Sequence, residues 1–555
     1  MGTSNRTWDS QRINRLQRLD RVHAALGTAL SGKLVPAGRI SDLLHNVLES
    51  GDRVCLEGNN QKQADFLSEA LAGLDPSRIN RLHMLQSVLA LPEHLNVFDK
   101  GIASHLDFSF SGPQAGRLAK LTASGKINIG AIHTYLELFG RYFVDLTPRV
   151  ALIAAQAADR NGNLYTGPNT EDTPTIVEAT AFKSGIVVVQ VNQILDDLPR
   201  VDIPADWVDY VVLAPRPHYI EPLFTRDPAQ ISEIQVLMAM MAIKGIYAEY
   251  EVQRLNHGIG FDTAAIELLL PTYAASLGLK GKICKHWALN PHPALIPAIE
   301  AGFVESVHSF GSELGMEEYI RARPDIFFVG PDGSLRSNRA LCQAVGHYAC
   351  DMFIGSTLQI DLQGNSSTAT LGRISGFGGA PNMGADSRGR RHASSAWLKT
   401  GRQAREGKNL IPRGQKLVVQ MVETFREHMQ PAFVEKLDAW ELAEQANMVI
   451  PPVMIYGDDV THILTEEGIA NLLLCRSDEE REQAIRGVAG YTSVGLARDK
   501  RMVENLRDRG IIQRVDDLGI DRRIANRDLL AAKTMKDLVR ASGGLYNPPK
   551  RFRNW

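Results

Sequence analysis

From Asp52 onward, short apolar runs alternate with polar turns and helical stretches, and this alternation constrains the fold more than any other feature of the chain. Residues 54–57, 151–155, 186–191 and 210–213 read as strands in parallel βαβ units. A second α/β half follows Pro228. Residues 52–71 (DRVCLEGNNQKQADFLSEAL) and 251–270 (EVQRLNHGIGFDTAAIELLL) share one layout: a strand, a tight polar or glycine turn, then an amphipathic helix. Each would place a loop and a helix N-terminus at the carboxyl end of a strand, where open α/β sheets bind ligands.

A chain of 555 residues is too long for one hydrophobic core. The expected organisation is a helical lead-in over 1–50, a first α/β domain over 51–228, a second over 229–475 and a helical extension over 476–555. Both domains should be open, mostly parallel sheets with helices on both faces. In the lead-in, Ile13, Leu16, Leu19, Val22 and Leu26 recur at spacings of three and four, the period of an amphipathic helix. Helices are also expected over 417–425 and 433–446. Ser477, ahead of Glu479 and Glu480, reads as a helix cap.

Function classes narrow on composition. Lys and Arg number 61 against 63 Asp and Glu, a balance that argues against a general nucleic-acid binder. Five cysteines without a C-x-x-C pair argue against a disulfide framework or a zinc site, so no metal is expected and a reducing cytoplasm fits. The N-terminal thirty residues lack the apolar core of a signal peptide, and no run reaches 18 apolar residues. Gly2 suggests myristoylation, but Arg6 stands where that pattern needs Ser or Thr. The basic, aromatic tail over 546–555 reads as a docking element, removable without loss of fold.

The chemistry concentrates in residues 355–392, GSTLQIDLQGNSSTATLGRISGFGGAPNMGADSRGRRH. A strand signal leads into a Gly-Asn-Ser-Ser turn, a glycine cluster (Gly376, Gly378, Gly379, Gly384) and the cations Arg388, Arg390, Arg391 and His392. Glycines let backbone N–H groups approach a ligand, and nearby cations hold anionic groups. The segment reads as a pocket for an anionic acyl donor or acceptor.

Three blocks in order resemble the CoA-transferases: RVALIAAQAADRNGNLYTG over 149–167, the glycine-rich stretch over 358–383, and VTHILTEEGIANL over 460–472. Closer still, WDSQRINRLQRLDRV, GNNQKQADFL and GNSSTATLGRISGFGGAPNMGADSRGRRH resemble the alpha subunits of biotin-independent malonate decarboxylases. That resemblance implies a CoA-transferase-like fold and a transferase that exchanges acetate for malonate on the thioester of an acyl carrier protein. The carrier's thiol would belong to a phosphoribosyl-dephospho-CoA arm, with no cofactor held covalently by this chain. Decarboxylase subunits, beta and gamma, would then convert malonyl to acetyl.

CoA-transferases with a covalent intermediate carry a nucleophilic Glu in a pattern like L-E-V-D-L-x-G-Q; the similar text here is Leu358-Gln359-Ile360-Asp361-Leu362-Gln363-Gly364-Asn365. Gln359 cannot form a glutamyl thioester. The expected route is direct attack by malonate, with Gln359, Gly364, Asn365 and Asn60 as catalytic dipoles. Ser366, Gly378 and Gly379 would line the acyl site, and Arg373, Arg388 or Arg391, with Arg390 as a further supply, would hold the unreactive carboxylate. Gly58, Asn59, Gly258 and Gly260 would meet the carrier arm. Glu57, Glu313 and Glu466 are rival carboxylates, and His257 and His308 rival acid–base groups, all expected to be structural. Alternatives are a citrate lyase type of alpha subunit, a free-CoA transferase, or a non-catalytic metabolite-binding or scaffold protein.

Overall fold

The computed structural model describes residues 7–58, 62–167, 170–218, 220, 227–311, 313–331, 335, 343–344, 350–384, 417–553 and 555. The alternation read from the sequence forms a nine-stranded sheet from β1 (Leu34–Val35), β2 (Arg53–Leu56), β3 (Leu82–Val88), β4 (Ala103–Phe110), β5 (Asn128–Ile132), β6 (Val150–Ala158), β7 (Leu164–Tyr165), β8 (Ile186–Ile194) and β9 (Tyr210–Leu213). Its order is β1-β9-β8-β6-β2-β3-β4-β5, parallel throughout, with β7 folded back antiparallel on β6.

A second, eight-stranded sheet comprises β10 (Arg254–His257), β11 (His286–Ala288), β12 (Ser306–His308), β13 (Met352–Gly355), β18 (Leu417–Met421), β21 (His462–Thr465), β22 (Gly468–Asn471) and β23 (Ile512–Gln513), in the order β12-β11-β10-β13-β18-β21-β22-β23. Between β13 and β18 lie two small hairpins, β14 (Gln359–Ile360) with β15 (Ser366–Ser367) and β16 (Ala369–Thr370) with β17 (Arg373–Ile374); β19 (Phe425–Arg426) pairs with β20 (Gln430–Pro431). Within this second sheet β22 runs antiparallel to both of its neighbours, β21 and β23, and the other pairs are parallel.

Both sheets grow outward from one strand and then return beside it. In the first, β3, β4 and β5 extend one way from β2, and β6 comes back to its other side; in the second, β11 and β12 extend from β10, and β13 returns. The two segments that share a layout therefore hold equivalent places: β2 leads to helix Asp65–Ala72 and β10 to helix Phe261–Leu269. At such a reversal the connections diverge and leave a crevice outside the carboxyl ends.

Burial on both faces explains the continuous apolar runs. Along β6, Val150, Leu152 and Ala154 face one core while Ala151, Ile153 and Ala155 face the other. In the second sheet Met352 and Ile354 lie on one side and Phe353 on the other. Residues 417–421, expected to be helical, are the strand β18, wedged between β13 and β21. Its sequence LVVQM is rich in residues that suit a doubly covered sheet, and at this length apolar periodicity does not separate strand from helix.

The terminal segments belong to the lobes. Leu43, Leu44 and Val47 of helix Ile40–Val47 join the first core, and β1 is its edge strand. The region expected as a helical extension contributes β23 and places Met535, Leu538 and Tyr546 in the second core. Tyr546 is 2% exposed and Asn547 N–H donates to the Gly315 carbonyl at 2.9 Å, so the tail is anchored at its root rather than removable from residue 546. Cys55, Cys284 and Cys475 are free thiols. Among the described residues no helix is long and apolar enough to cross a membrane.

Candidate active site

The connection from β13 to β18 builds the junction of the two lobes. After Gly355 the chain leaves the second sheet, and Ala369 and Ile374 of the β16–β17 hairpin bury in the core of the first lobe beside Leu442, Ala443 and Ala446. The glycine stretch then crosses the carboxyl ends of β4 and β5. Ser111 N–H donates to the Ser375 carbonyl at 2.9 Å, and Phe377 and Gly378 N–H both donate to the Ser109 carbonyl, at 2.6 and 3.0 Å. On the other side, Tyr135 N–H donates to the Gly378 carbonyl at 3.0 Å.

Glycine is demanded where the backbones touch. Gly376 has φ +78°, and a Cβ there would stand 3.0 Å from Phe110 Cα and closer still to the Ser109 carbonyl oxygen. Gly378, at φ +58°, lies against the Tyr135 ring. Gly379 is covered by Gln343, whose amide oxygen accepts from Asn382 Nδ2 at 3.4 Å. The N–H groups of Phe377, Gly378, Ala380, Asn382 and Met383 are all given to protein carbonyls. Gly379, at the start of helix Ala380–Met383, has its N–H given to no acceptor among the described residues.

The strand-end residues expected to be catalytic make hydrogen bonds within the fold. Gln359 is buried, and its side-chain oxygen accepts from Asp438 N–H at 2.9 Å, capping the start of helix Asp438–Gln445. The Gly364–Asn365 turn is organised by Asp361. Its carboxylate accepts from the backbone N–H groups of Gln363 and Asn365, both at 3.0 Å, and from Asn365 Nδ2 at 2.9 Å. Asn365 Oδ1 in turn accepts from Gly457 N–H at 2.9 Å. The turn thus faces Gly457 and Arg481 of its own lobe. Ser366, expected to line the acyl site, is fully buried and bonds through its N–H to Ile455. Arg373 sits exposed on the outer hairpin, its Nε donating to Ser375 Oγ at 3.3 Å.

At the reversal point of each sheet the expected glycines are closely packed. A Cβ on Gly58 would stand 2.6 Å from His94 Cε1 and 2.8 Å from the Val88 carbonyl oxygen. Gly258 N–H donates to the Ile354 carbonyl at 2.7 Å, and a Cβ there would meet Gly355 Cα at 2.9 Å. Gly260 is extended and more open, leading into helix Phe261–Leu269. Asn59, Asn60, Arg388, Arg390, Arg391 and His392 lie outside the described residues.

Of the carboxylates and histidines set aside as structural, Glu57, Glu466 and His257 are held by partners. Glu57 is buried with Lys62 Nζ at 3.4 Å and accepts from Ala154 N–H at 2.9 Å; burial nevertheless pushes its carboxyl up. His257 contacts Tyr247 Oη at 2.7 Å and Glu267 at 3.0 Å. Glu267 lies at about 2: burial pushes its carboxyl up, and His292 and His257 more than offset that. Glu313 is buried and His308 exposed. Glu466 accepts from Thr424 N–H at 3.0 Å.

Two clusters carry no local motif, because strands far apart in sequence bring them together. Asp262 follows β10, Glu423 follows β18 and Glu466 follows β21, at the carboxyl edge of the second sheet. Burial first, then Asp262 and Glu466, push Glu423 up to about 7. In the first lobe, Asp107 of β4 lies between His83 and His133, each ring nitrogen 2.6 Å from a carboxylate oxygen.

Two doubly covered α/β lobes are joined where a glycine loop of one crosses the strand ends of the other. A citrate lyase alpha-subunit structure from Streptococcus mutans shares this fold, with a TM-score of 0.57 at 16% identity over 88% of this chain and 86% of that one. The chain belongs to the family described as malonate decarboxylase, alpha subunit, transporter, which matches residues 7–555. It is 64% identical over 539 residues, 97% of each chain, to an acetyl-S-ACP:malonate ACP transferase from Malonomonas rubra. A Pseudomonas malonate decarboxylase hetero-tetramer solved in complex with malonate contains a chain 60% identical, covering 99% of each, with a TM-score of 0.92.

Proposed function

We propose that this chain is the acyl-carrier-protein transferase of a multisubunit malonate decarboxylase, converting acetyl-S-ACP and malonate to malonyl-S-ACP and acetate. The carrier's thiol arm, of the phosphoribosyl-dephospho-CoA type, is its substrate, and beta and gamma decarboxylase subunits are its partners. The observation that carries this reading is the Gly376–Gly379 crossing of the lobe junction in a chain 64% identical to a transferase of that activity.

In the reaction, a malonate carboxylate oxygen attacks the acetyl carbonyl and the carrier thiolate leaves, giving a mixed acetyl–malonyl anhydride. The thiolate then attacks the malonyl carbonyl, and acetate departs with the bridging oxygen. One thioester forms as another breaks, so no phosphoanhydride need be spent. Holding thioester and diacid together in a reactive geometry supplies up to roughly 7–11 kcal/mol of the barrier. An aimed N–H at the developing oxyanion adds roughly 2.7–4 kcal/mol.

Gly379 N–H is the donor we assign to that oxyanion, since the amides on either side of it, of Gly378 and Ala380, are occupied. Gly378 and Gly379 line the acyl group, and the basic segment over 388–391 is assigned to the unreactive carboxylate. Gly260 opens the second lobe's strand-end crevice to the carrier arm. Gln359 supports the site by capping a helix at the lobe junction.

The discriminating experiment supplies the chain with acetylated carrier and isotopically labelled malonate or citrate, or replaces the carrier with acetyl-CoA. Label from malonate should enter the carrier thioester. Incorporation of citrate, or transfer only to free CoA, would overturn the assignment, and binding without turnover would make the chain a scaffold.

A further inference from the structure

Asp107 and His133 sit directly behind the glycine crossing. Asp107 is 2% exposed and His133 is fully buried, and His133 Nε2 lies 2.6 Å from Asp107 Oδ1. The second carboxylate oxygen takes His83 Nε2 at 2.6 Å. The other charged groups facing the pair are Glu137, 3.7 Å from His133 Nδ1, and Arg141, 4.0 Å from Asp107 Oδ1, both on helix Tyr135–Val144, with His105 beside Asp107 on β4. The sequence makes room for this arrangement. A Cβ on Gly130 would stand 2.9 Å from Asp107 Cγ, and the β4–β5 register shifts between Leu106 and Asp107, an irregularity of the kind that re-aims a side chain.

The loop is anchored one and two residues away. Two positions beyond Asp107 is Ser109, whose carbonyl takes both Phe377 and Gly378 N–H. One position beyond His133 is Thr134, which bridges to Gly378 and caps the helix by accepting from Glu137 N–H at 3.0 Å. His133 N–H also donates to the Phe108 carbonyl at 2.8 Å. The buried pair therefore clamps the two strand ends that hold the loop from opposite sides.

We propose that Asp107 and His133, with His83, are positioning residues for acyl transfer: they fix the spacing of the β4 and β5 ends and thereby the placement of Gly376–Gly379, without touching substrate. The inference rests on the reading that this loop lines the transfer site. A displacement of about 1 Å at a reacting group costs on the order of 100-fold, so a modest loosening of the clamp is visible in kcat.

The test compares full-length Asp107→Asn, His133→Ala, His133→Gln and Gly378→Ala in acetyl-carrier/malonate exchange, with hydrogen exchange at Phe377 and Gly378. Asp107→Asn and His133→Ala should lower kcat by about 10-fold or more while KM for malonate stays within about 2-fold. His133→Gln, which keeps a donor near the Nε2 position, should restore much of the loss. Phe377 and Gly378 amides should exchange faster in Asp107→Asn, with the amides of β13 and β18 unaffected. Unchanged kcat and unchanged loop exchange in these variants, with Gly378→Ala inactive, would overturn the positioning role alone. A Gly378→Ala chain of full activity would overturn the loop reading instead. If Asp107→Asn does not fold, the contrast of His133→Gln with His133→Ala decides: equal loss in both rejects the proposal, and recovery in Gln supports it.

Discussion

Gly376 of one lobe lies against Ser109 of the other so closely that no side chain fits between them. The neighbouring N–H groups of Phe377 and Gly378 both converge on the Ser109 carbonyl. Gly376→Ala adds a Cβ at φ +78° against rigid backbone. A left-handed non-glycine residue alone costs on the order of 1–3 kcal/mol, and here neither Ser109 nor Phe110 can yield without moving a strand end. The variant should lose at least about 2 kcal/mol in denaturant titration and most of its transfer activity. A stable, active Gly376→Ala protein would show that the crossing is looser than described.

Gln359 makes a second contrast. Its oxygen accepts from Asp438 N–H at a helix start, a place where a carboxylate is also accommodated and favoured by the helix dipole. Gln359→Glu should therefore keep stability and activity. Gln359→Leu strands the Asp438 donor and should cost about 1–3 kcal/mol. If Gln359→Glu instead accumulated an acyl or thioester adduct, as detected by intact mass, the residue would be facing the reacting carbonyl and not the helix.

Glu423 predicts a pH dependence. Its folded carboxyl lies at about 7, against an ordinary value of 4.5, because it is buried and faces Asp262 and Glu466. A raised value means the folded state binds the proton more tightly than the unfolded state, so the contribution of this group is complete below pH 4.5 and is lost as pH rises through 7. Glu423→Gln should remove that loss, making its stability flatter than wild type between pH 4.5 and 7 in thermal melts. Parallel curves for the two proteins would show that Glu423 does not titrate in this window.

The tail separates into two parts. Truncation before Tyr546 removes a side chain of the second core and the Asn547–Gly315 bond, and should destabilise the chain in thermal melts. Truncation after Pro549 leaves both and should be tolerated. Equal stability of the two truncations would contradict the anchoring.

The parallel lobes were readable because β2, β6 and β8 are short, apolar and separated by helical stretches, and because β2 and β10 each lead through a polar or glycine turn into a helix. Residues 417–421 misled because a five-residue apolar run carries no decisive period; only the partners β13 and β18's other neighbour, β21, fix it as a strand. At the site, the glycines of 376–379 were visible because close backbone approach requires that residue type. Gln359 and Asn365 looked functional because an amide in a strand-end turn reads the same whether it meets a ligand or a helix N–H. His83, Asp107 and His133 were invisible, since β3, β4 and the end of β5 meet only in the folded sheet.

The central claim is that malonate itself, and no enzyme carboxylate, attacks the acetyl thioester. A single turnover of acetyl carrier with malonate carrying 18O in all its carboxylate oxygens tests it directly, by the mass of the acetate released. Direct attack predicts acetate bearing one 18O and an unlabelled protein. Acetate without 18O, with the label appearing later in a protein carboxylate, would contradict it.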